Sequence, residues 1–330
     1  MWLPWPGELD CVKSGVDVVI EALAALAMQR ARHHTLIFHR VLQNTDPMSP
    51  GEPTQDWFAR LMKMLASHFE MISLAEAVAR TQAGRLSGRT ISVTFDDGYA
   101  DNVTVALPIL EEFNVPATFF VASGFVDGGR MWNDTIIETF RRCETGVCEV
   151  DLAANKSFEL SDWESRRAAA AETILAWKHL PPDERQARVD DLAERVPNLP
   201  SNLMMTKEQL RALAASPLAT IGGHTRTHPI LASISDSDAE EEIEGGKRDL
   251  EGWTQREITL FAYPNGKFGR DYDARHVALV QQAGFSAAVA TDWGTLATGC
   301  NLYAIPRFTP WQRNLSRFSI DLARCHFGLI

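Results

Sequence analysis

The sequence predicts an α/β fold in which a parallel sheet is wrapped by helices. Three observations predict it. Short apolar runs rich in β-branched and aromatic residues alternate with helix-like stretches. Several of those runs stop on a polar or charged residue, which would gather chemistry along one edge of the sheet. The chain, at 330 residues with 45% hydrophobic content, can also fill a large core.

The elements follow in order. Met1 to Glu8 is rich in Trp and Pro, and the apolar stretch from Val16 to Met28 is interrupted by Asp17 and Glu21. It has neither a basic leader nor a small-residue cleavage site, so Val16 to Ala31 reads as an amphipathic helix within an N-terminal extension over residues 1–34. A signal peptide and a membrane span are disfavoured, and a cytoplasmic location is the default. The expected strands are Thr35–His39, Ile91–Phe95, Ala117–Val121, Ala219–Ile221, Thr259–Tyr263 and Phe285–Ala290. Between them, Gln55–His68, Asn102–Phe113, Asp238–Trp253 and Asp273–Ala283 read as helices. The passage from about 135 to 215 breaks this rhythm, and its charge-rich stretch from Ser161 to Arg195 is interrupted by Pro181-Pro182. It reads as a helical insertion in a single domain over residues 35–330, either a solvated excursion or a lid or side wall. No fixed-period repeat is present.

The charge balance of 32 basic against 43 acidic residues leaves −11, which gives no reason to expect nucleic acid or an anionic membrane as partner. A neutral or weakly cationic substrate fits better. The five cysteines (Cys11, Cys143, Cys148, Cys300 and Cys325) fall into no zinc or redox spacing and read as reduced thiols.

Two motifs carry the chemistry. In Thr94-Phe95-Asp96-Asp97-Gly98-Tyr99, adjacent carboxylates at a strand end cannot share one direction, so one can bind a cation while the other faces water. Alone, this is also an ordinary Asp-Asp-Gly turn. In Gly222-Gly223-His224-Thr225-Arg226-Thr227-His228-Pro229, two imidazoles stand four apart, on one face if the segment is helical. Two histidines and a carboxylate make a half-open metal site that leaves room for water and substrate.

Together and in this order, the motifs resemble the metal-binding motifs of the polysaccharide deacetylases, the NodB-homology family of carbohydrate esterases. The resemblance covers roughly Thr35 to Phe308. Met131-Trp132-Asn133-Asp134 and the insertion are similar to a subgroup linked to exopolysaccharide synthesis. The resemblance implies a distorted (β/α) barrel of about seven strands. It implies that Asp97, His224 and His228 bind a divalent metal and that Asp96 is the base that deprotonates the attacking water. Zinc is the first expectation, and cobalt, nickel or manganese also suit the donor set. Phe261-Ala262-Tyr263-Pro264-Asn265-Gly266 matches the family's third motif, which makes the Asn265 N–H the candidate oxyanion donor.

This chain departs from the family pattern at Ala262, where the commoner sequence has an arginine that orients the base. Arg307, in Ile305-Pro306-Arg307-Phe308, is the expected replacement; the alternative is a surface arginine after a strand. For the acid that protonates the leaving amine, His326 fits the family pattern poorly, and His39 at the end of the first strand is preferred. Substrate contacts are expected from Tyr99, Trp132 and Tyr263, with Trp293 and Trp311 as further loop aromatics.

The resulting expectation is a hydrolase that removes an N-acetyl group from an amino sugar of a polysaccharide, oligosaccharide or lipid-linked glycan. A deformylase or O-acetyl esterase on the same scaffold is the second reading. A catalytically silent glycan-binding protein is the third, suggested by the missing third-motif arginine.

Overall fold

The computed structural model describes residues 31–152, 155–310 and 312–330. The expected N-terminal helix, Cys11 and Trp311 therefore lie outside the described residues. The chain runs from β1 (Arg32–Phe38) through α1 (Gln55–His68), β2 (Glu70–Met71) and α2 (Leu74–Gln82) into β3 (Thr90–Phe95), then through α3 (Leu107–Glu112) to β4 (Ala117–Val121). An excursion follows, made of α4 (Trp132–Arg142), the hairpin β5 (Gly146–Asp151) and β6 (Asn155–Leu160), α5 (Trp163–Trp177) and α6 (Pro182–Ala193). Then come α7 (Lys207–Ala215), β7 (Ala219–Gly223), α8 (Asp236–Thr254), β8 (Leu260–Ala262), α9 (Ala274–Gln282), β9 (Ala287–Val289), β10 (Leu296–Ala297) and α10 (Leu315–Phe327).

Strands β1, β3, β4, β7, β8 and β9 lie side by side in that order and are parallel; β2 pairs in parallel with the start of β3, and β10 pairs antiparallel with β1. The sheet curls, and residues 305–308 bridge its two edges. Ile305 pairs with Val289 of β9 while Phe308 pairs with Leu36 of β1, both in the parallel sense. The α/β fold expected from the sequence is the one observed. The bridging segment acts as a further stave, and it carries Arg307.

Period-2 alternation sorts the side chains. Phe119, Phe261 and Ala288 face the helices in one cluster with Phe58 of α1 and Ile243 of α8. Their chain neighbours Phe120, Leu260, Ala262 and Val289 belong to a second cluster with Ile305, which Leu74, Ala77 and Val78 of α2 help close. On β3 the same rule sends Phe95 toward the helices, where it stacks on Phe119 at 5.0 Å. Asp96 consequently projects from the face opposite Phe95.

The helix expected over Asn102–Phe113 begins as a π-helix, Asn102–Ala106, before α3. Pro108 has no N–H to offer the carbonyl one turn back, which accounts for the altered register. The insertion is not wholly helical, because β5 and β6 form an antiparallel hairpin. It has its own small core, in which Ile136, Phe140, Val150, Leu160 and Trp177 pack together. The excursion also ends earlier than 215, since Leu210 and Leu213 of α7 join the main core. Cys143, Cys148, Cys300 and Cys325 are free thiols. No helix among the described residues is long and apolar enough to cross a membrane.

At the other end of the strands, His33 and His34 are buried; His33 bonds Thr90 Oγ1 at 3.0 Å and His34 bonds His326 at 3.2 Å. Burial, with the charge of Arg80, pushes His33 down to about 3, and burial with the neighbouring histidines holds His34 well below its usual value. Both are neutral in the fold. The unfolded chain takes up these protons below about pH 6.5, so the contribution is intact above that pH and is lost as pH falls toward 3, at roughly 1.4 kcal/mol per pH unit per histidine. Thermal midpoints measured from pH 7 to 4 should therefore fall less steeply for His33→Asn than for the native protein. Parallel slopes would refute this account.

Candidate active site

The site is built where β3, β7 and β8 end. Asp97 takes φ 76°, a left-handed conformation uncommon outside glycine, directly after Asp96 N–H has paired with the Phe38 carbonyl at 2.9 Å. Asp96 therefore stays in line with the barrel interior while Asp97 turns away from it. Gly98 follows at φ 95°, and a Cβ there would lie 2.9 Å from Val121 Cγ1, so glycine is required for the turn to seat against β4.

The His-x-x-x-His segment is not helical. It is a loop in which Thr225 (φ 61°) and His228 (φ 56°) are left-handed, and Pro229 disfavours a helical conformation at the residue before it. The loop still brings the two imidazoles together, with ring centroids 4.7 Å apart. Four of the residues with strained positive φ, Asp97, Thr225, His228 and Asn265, thus cluster at one site.

One ligand atom each from Asp97, His224 and His228 lies within 4.8 Å of the others. Asp97 Oδ1 is buried and meets no hydrogen-bond donor among the described residues, yet Nε2 of His224 and of His228 stand 3.4 and 3.5 Å from it. His224 Nδ1 bonds the Ala262 carbonyl at 2.7 Å, which leaves the Nε2 lone pair facing the carboxylate. An orphaned carboxylate oxygen between two imidazole nitrogens is the donor set of a divalent cation site, so these residues fit the expected metal.

Arg307 is fully buried beneath this set. Its two terminal nitrogens donate to both Asp96 oxygens at 2.7 and 2.7 Å, while Nε donates to the Ala290 carbonyl at 2.8 Å and Nη1 also reaches Thr94 Oγ1 at 3.1 Å. Burial would push the Asp96 carboxyl up. The Arg307 charge, the His224 ring and the forked hydrogen bonds outweigh that and hold it below the usual carboxylate range.

Above these residues opens a cleft of about 610 Å³, lined by His39, Asp96, Asp97, Tyr99, Trp132, His224, His228 and Asn265 among others. His39 is exposed, but its backbone is fixed. Asn102 donates to its carbonyl at 2.9 Å, and Asp101 holds the adjoining Arg40 side chain at 2.8 Å and the Val41 N–H at 3.1 Å. Among the described residues the Asn265 N–H meets no acceptor, and its carbonyl accepts from Thr291 Oγ1 at 2.6 Å. Trp132 begins α4 at the cleft, with the Arg185 guanidinium 4.8 Å from its ring centroid. From the insertion, Ile174 and Lys178 also line the cleft, so α5 serves as a side wall.

Two expected contacts are corrected or qualified. Tyr263 does not reach the cleft. It is buried against Tyr272, 3.7 Å between ring centroids, and its hydroxyl donates to the Tyr303 carbonyl at 3.1 Å. As the residue after Ala262 it takes the opposite face, toward the helices. Tyr99 lines the cleft but is only 4% exposed, and its hydroxyl donates to Asp134 at 3.0 and 3.1 Å. Burial, reinforced by the Asp97 charge against Arg40 and the Tyr99 bond, pushes the Asp134 carboxyl up to about 7. His326, set aside in the sequence reading, is buried on His34 at the opposite end of the strands.

The sequence reading missed how the histidine loop is held. Glu242 and Asp249 of α8 grip its backbone and Arg226, respectively. The signal was the pair Gly245-Gly246 inside a 19-residue helix, where each glycine costs about 1 kcal/mol against alanine unless something approaches closely.

Comparison with known proteins bears on the family and the fold. The family described as polysaccharide deacetylase matches residues 83–288. No curated protein sequence matches the chain. Among solved structures, the Streptococcus pyogenes deacetylase PplD in complex with acetate superposes with a TM-score of 0.59 at 16% identity, covering 89% of this chain and 98% of that one. IcaB from Ammonifex degensii gives 0.55 at 19% identity over 87% and 97% of the two chains. The deacetylase domain of BpsB from Bordetella bronchiseptica gives 0.52 at 16% identity over 84% and 96%. At these identities the superpositions establish the fold. The family match spans more than half of the sequence, and this chain therefore belongs to the polysaccharide deacetylase family, hydrolases that deacetylate glycans.

Proposed function

We propose that the enzyme is metal-dependent and removes the N-acetyl group of an amino sugar within a polysaccharide, an oligosaccharide or a lipid-linked glycan. The observation that carries this reading is the orphaned, buried Asp97 Oδ1 facing two imidazole Nε2 atoms at the floor of an open cleft. Asp97, His224 and His228 would hold the ion, zinc by preference of the donor set, with cobalt, nickel and manganese as alternatives. A bound divalent ion polarises an acyl oxygen and lowers the pKa of water.

The remaining work falls to the chain. Asp96, ionised and aimed by Arg307, takes a proton from the attacking water as the new C–O bond forms. The Asn265 N–H donates to the oxygen that gains charge. When the C–N bond breaks, the amine nitrogen needs a proton, and His39, which lines the cleft, would give it, so that acetate and a free amino sugar leave. Tyr99 and Asp134 form a polar wall and Trp132 an aromatic one, suited to hydroxyls and to C–H faces of a sugar ring. That a related fold has been obtained with acetate fits an acetyl substrate.

Assay of acetate and formate release over N-acetylated, N-formylated and O-acetylated sugars tests the reading. Acetate from the N-acetyl substrates, stopped by a chelator and restored by zinc, is the expected result. Formate release alone would replace it with the deformylase reading, and acetate released equally well from a metal-free enzyme would remove the metal.

A further inference from the structure

We infer that Glu242, on α8, is a positioning residue of the proposed metal centre: its carboxylate fixes the loop that aims His228. This rests on the metal reading above. One Glu242 oxygen accepts both the Arg226 and Thr227 backbone N–H groups at 2.8 and 2.8 Å, and the other accepts the Thr227 hydroxyl at 2.6 Å. The next residue is His228. A single carboxylate thus satisfies three donors in the short stretch that joins the two imidazoles.

Such a clamp is needed because the loop is held in an unfavourable conformation. Thr225 and His228 are both left-handed, a state that costs on the order of 1–3 kcal/mol per residue and persists only when the surroundings impose it. Inside the loop, the His228 N–H donates to Thr225 Oγ1 at 3.1 Å. From outside, the grip comes from α8 and from Ser123 and Gly124, whose N–H groups donate to the Thr225 and Arg226 carbonyls at 3.2 and 2.9 Å. Charge-assisted bonds from a carboxylate to backbone N–H groups are the stronger kind.

The helix is shaped to bring this carboxylate in. A Cβ at Gly246 would lie 2.9 Å from the Thr225 carbonyl, and one at Gly245 would lie 2.7 Å from the Arg226 guanidinium. Without side chains there, α8 approaches the loop closely enough for Glu242 to reach its backbone. Arg226 adds a second anchor through Asp249, at 2.8 and 3.0 Å, and Asp249 also accepts from the Ser123 hydroxyl at 2.9 Å. Glu242 touches neither the ligand atoms nor the cleft, so it acts through His228.

Titration of the full chain with zinc against a chelating dye, alongside the visible absorption of the cobalt form, tests the inference. Glu242→Ala should weaken zinc binding by roughly 10–100-fold, the range usual for residues that orient metal ligands, and should alter the cobalt bands. Its metal-free far-ultraviolet circular dichroism should match the native protein. Glu242→Gln, whose amide oxygen can still accept the two N–H groups while its NH2 meets the Thr227 hydroxyl, should bind within a few-fold of native. Glu244→Ala on the same helix should bind as native. If the alanine variant does not fold, Glu242→Asp, which keeps the charge and shortens the reach, is read in the same way. Native zinc affinity in Glu242→Ala or Glu242→Asp would overturn the inference alone. Absence of stoichiometric zinc binding in the native protein would overturn the metal reading and this inference with it.

Discussion

An Asp96→Asn enzyme is expected to keep its metal and to release acetate on the order of 10²–10⁴-fold more slowly than the native enzyme, the usual worth of a positioned general base. Asparagine has nearly the same shape, so the change removes charge and basicity while leaving Asp97, His224 and His228 in place. Its second effect must be read separately. Arg307 is fully buried and spends its fork on the two Asp96 oxygens. Without that charge, a guanidinium stays in the barrel unpaired, and breaking a buried pair from one side costs about 3–5 kcal/mol. Thermal midpoint and metal content therefore accompany the rate. A folded, metal-loaded Asp96→Asn enzyme with turnover within a few-fold of native would remove Asp96 as the base.

What could be read in advance divides by the range of the interactions involved. Gln55–His68 coincides with α1 because Trp57, Phe58, Leu61, Met62 and Leu65 repeat at helical spacing and are buried. Ala117–Val121 coincides with β4, an apolar run broken only by Thr118 and buried throughout, as expected of a central parallel strand. The two-residue strands β2 and β10 leave no period to detect. The hairpin hid in the charged insertion because its outward residues Glu149, Asp151, Lys156 and Glu159 dilute the few inward ones, Cys148, Val150 and Leu160.

The site shows the same division. Asp96, Asp97, His224 and His228 stand in two short motifs and could be named from the sequence, whereas the route by which the two histidines converge could not. Their spacing suits a helix; the structure achieves the convergence with left-handed residues held by a distant helix. Glu242 carries no pattern of its own, and the Gly245-Gly246 pair signals only that something comes close to α8, not what it is. Tyr263 was misplaced by one step of alternation. Arg307 was reachable because a cation was missing from the third motif, although its address, a stave that closes the sheet, depends on the pairing of residues 305–308 with both β9 and β1.

Arg307→Met tests whether that stave delivers the missing cation. Turnover should fall by at least about 10²-fold with metal content intact, since a carboxylate that is buried without its partner loses both its orientation and the charge that keeps it ionised. Lysine should rescue little, because a single ammonium cannot reproduce a fork that also reaches Ala290 and Thr94. The sharper measurement is the stability of the double variant. If Asp96 and Arg307 are one buried pair, Asp96→Asn and Arg307→Met each leave an uncompensated buried charge, whereas the double variant leaves no buried charge. The double loss in unfolding free energy should then fall short of the sum of the single losses by on the order of 1–3 kcal/mol. Strict additivity would mean that the two residues do not support one another, and the assignment of Arg307 as the substitute for the third-motif arginine would fall even if turnover dropped.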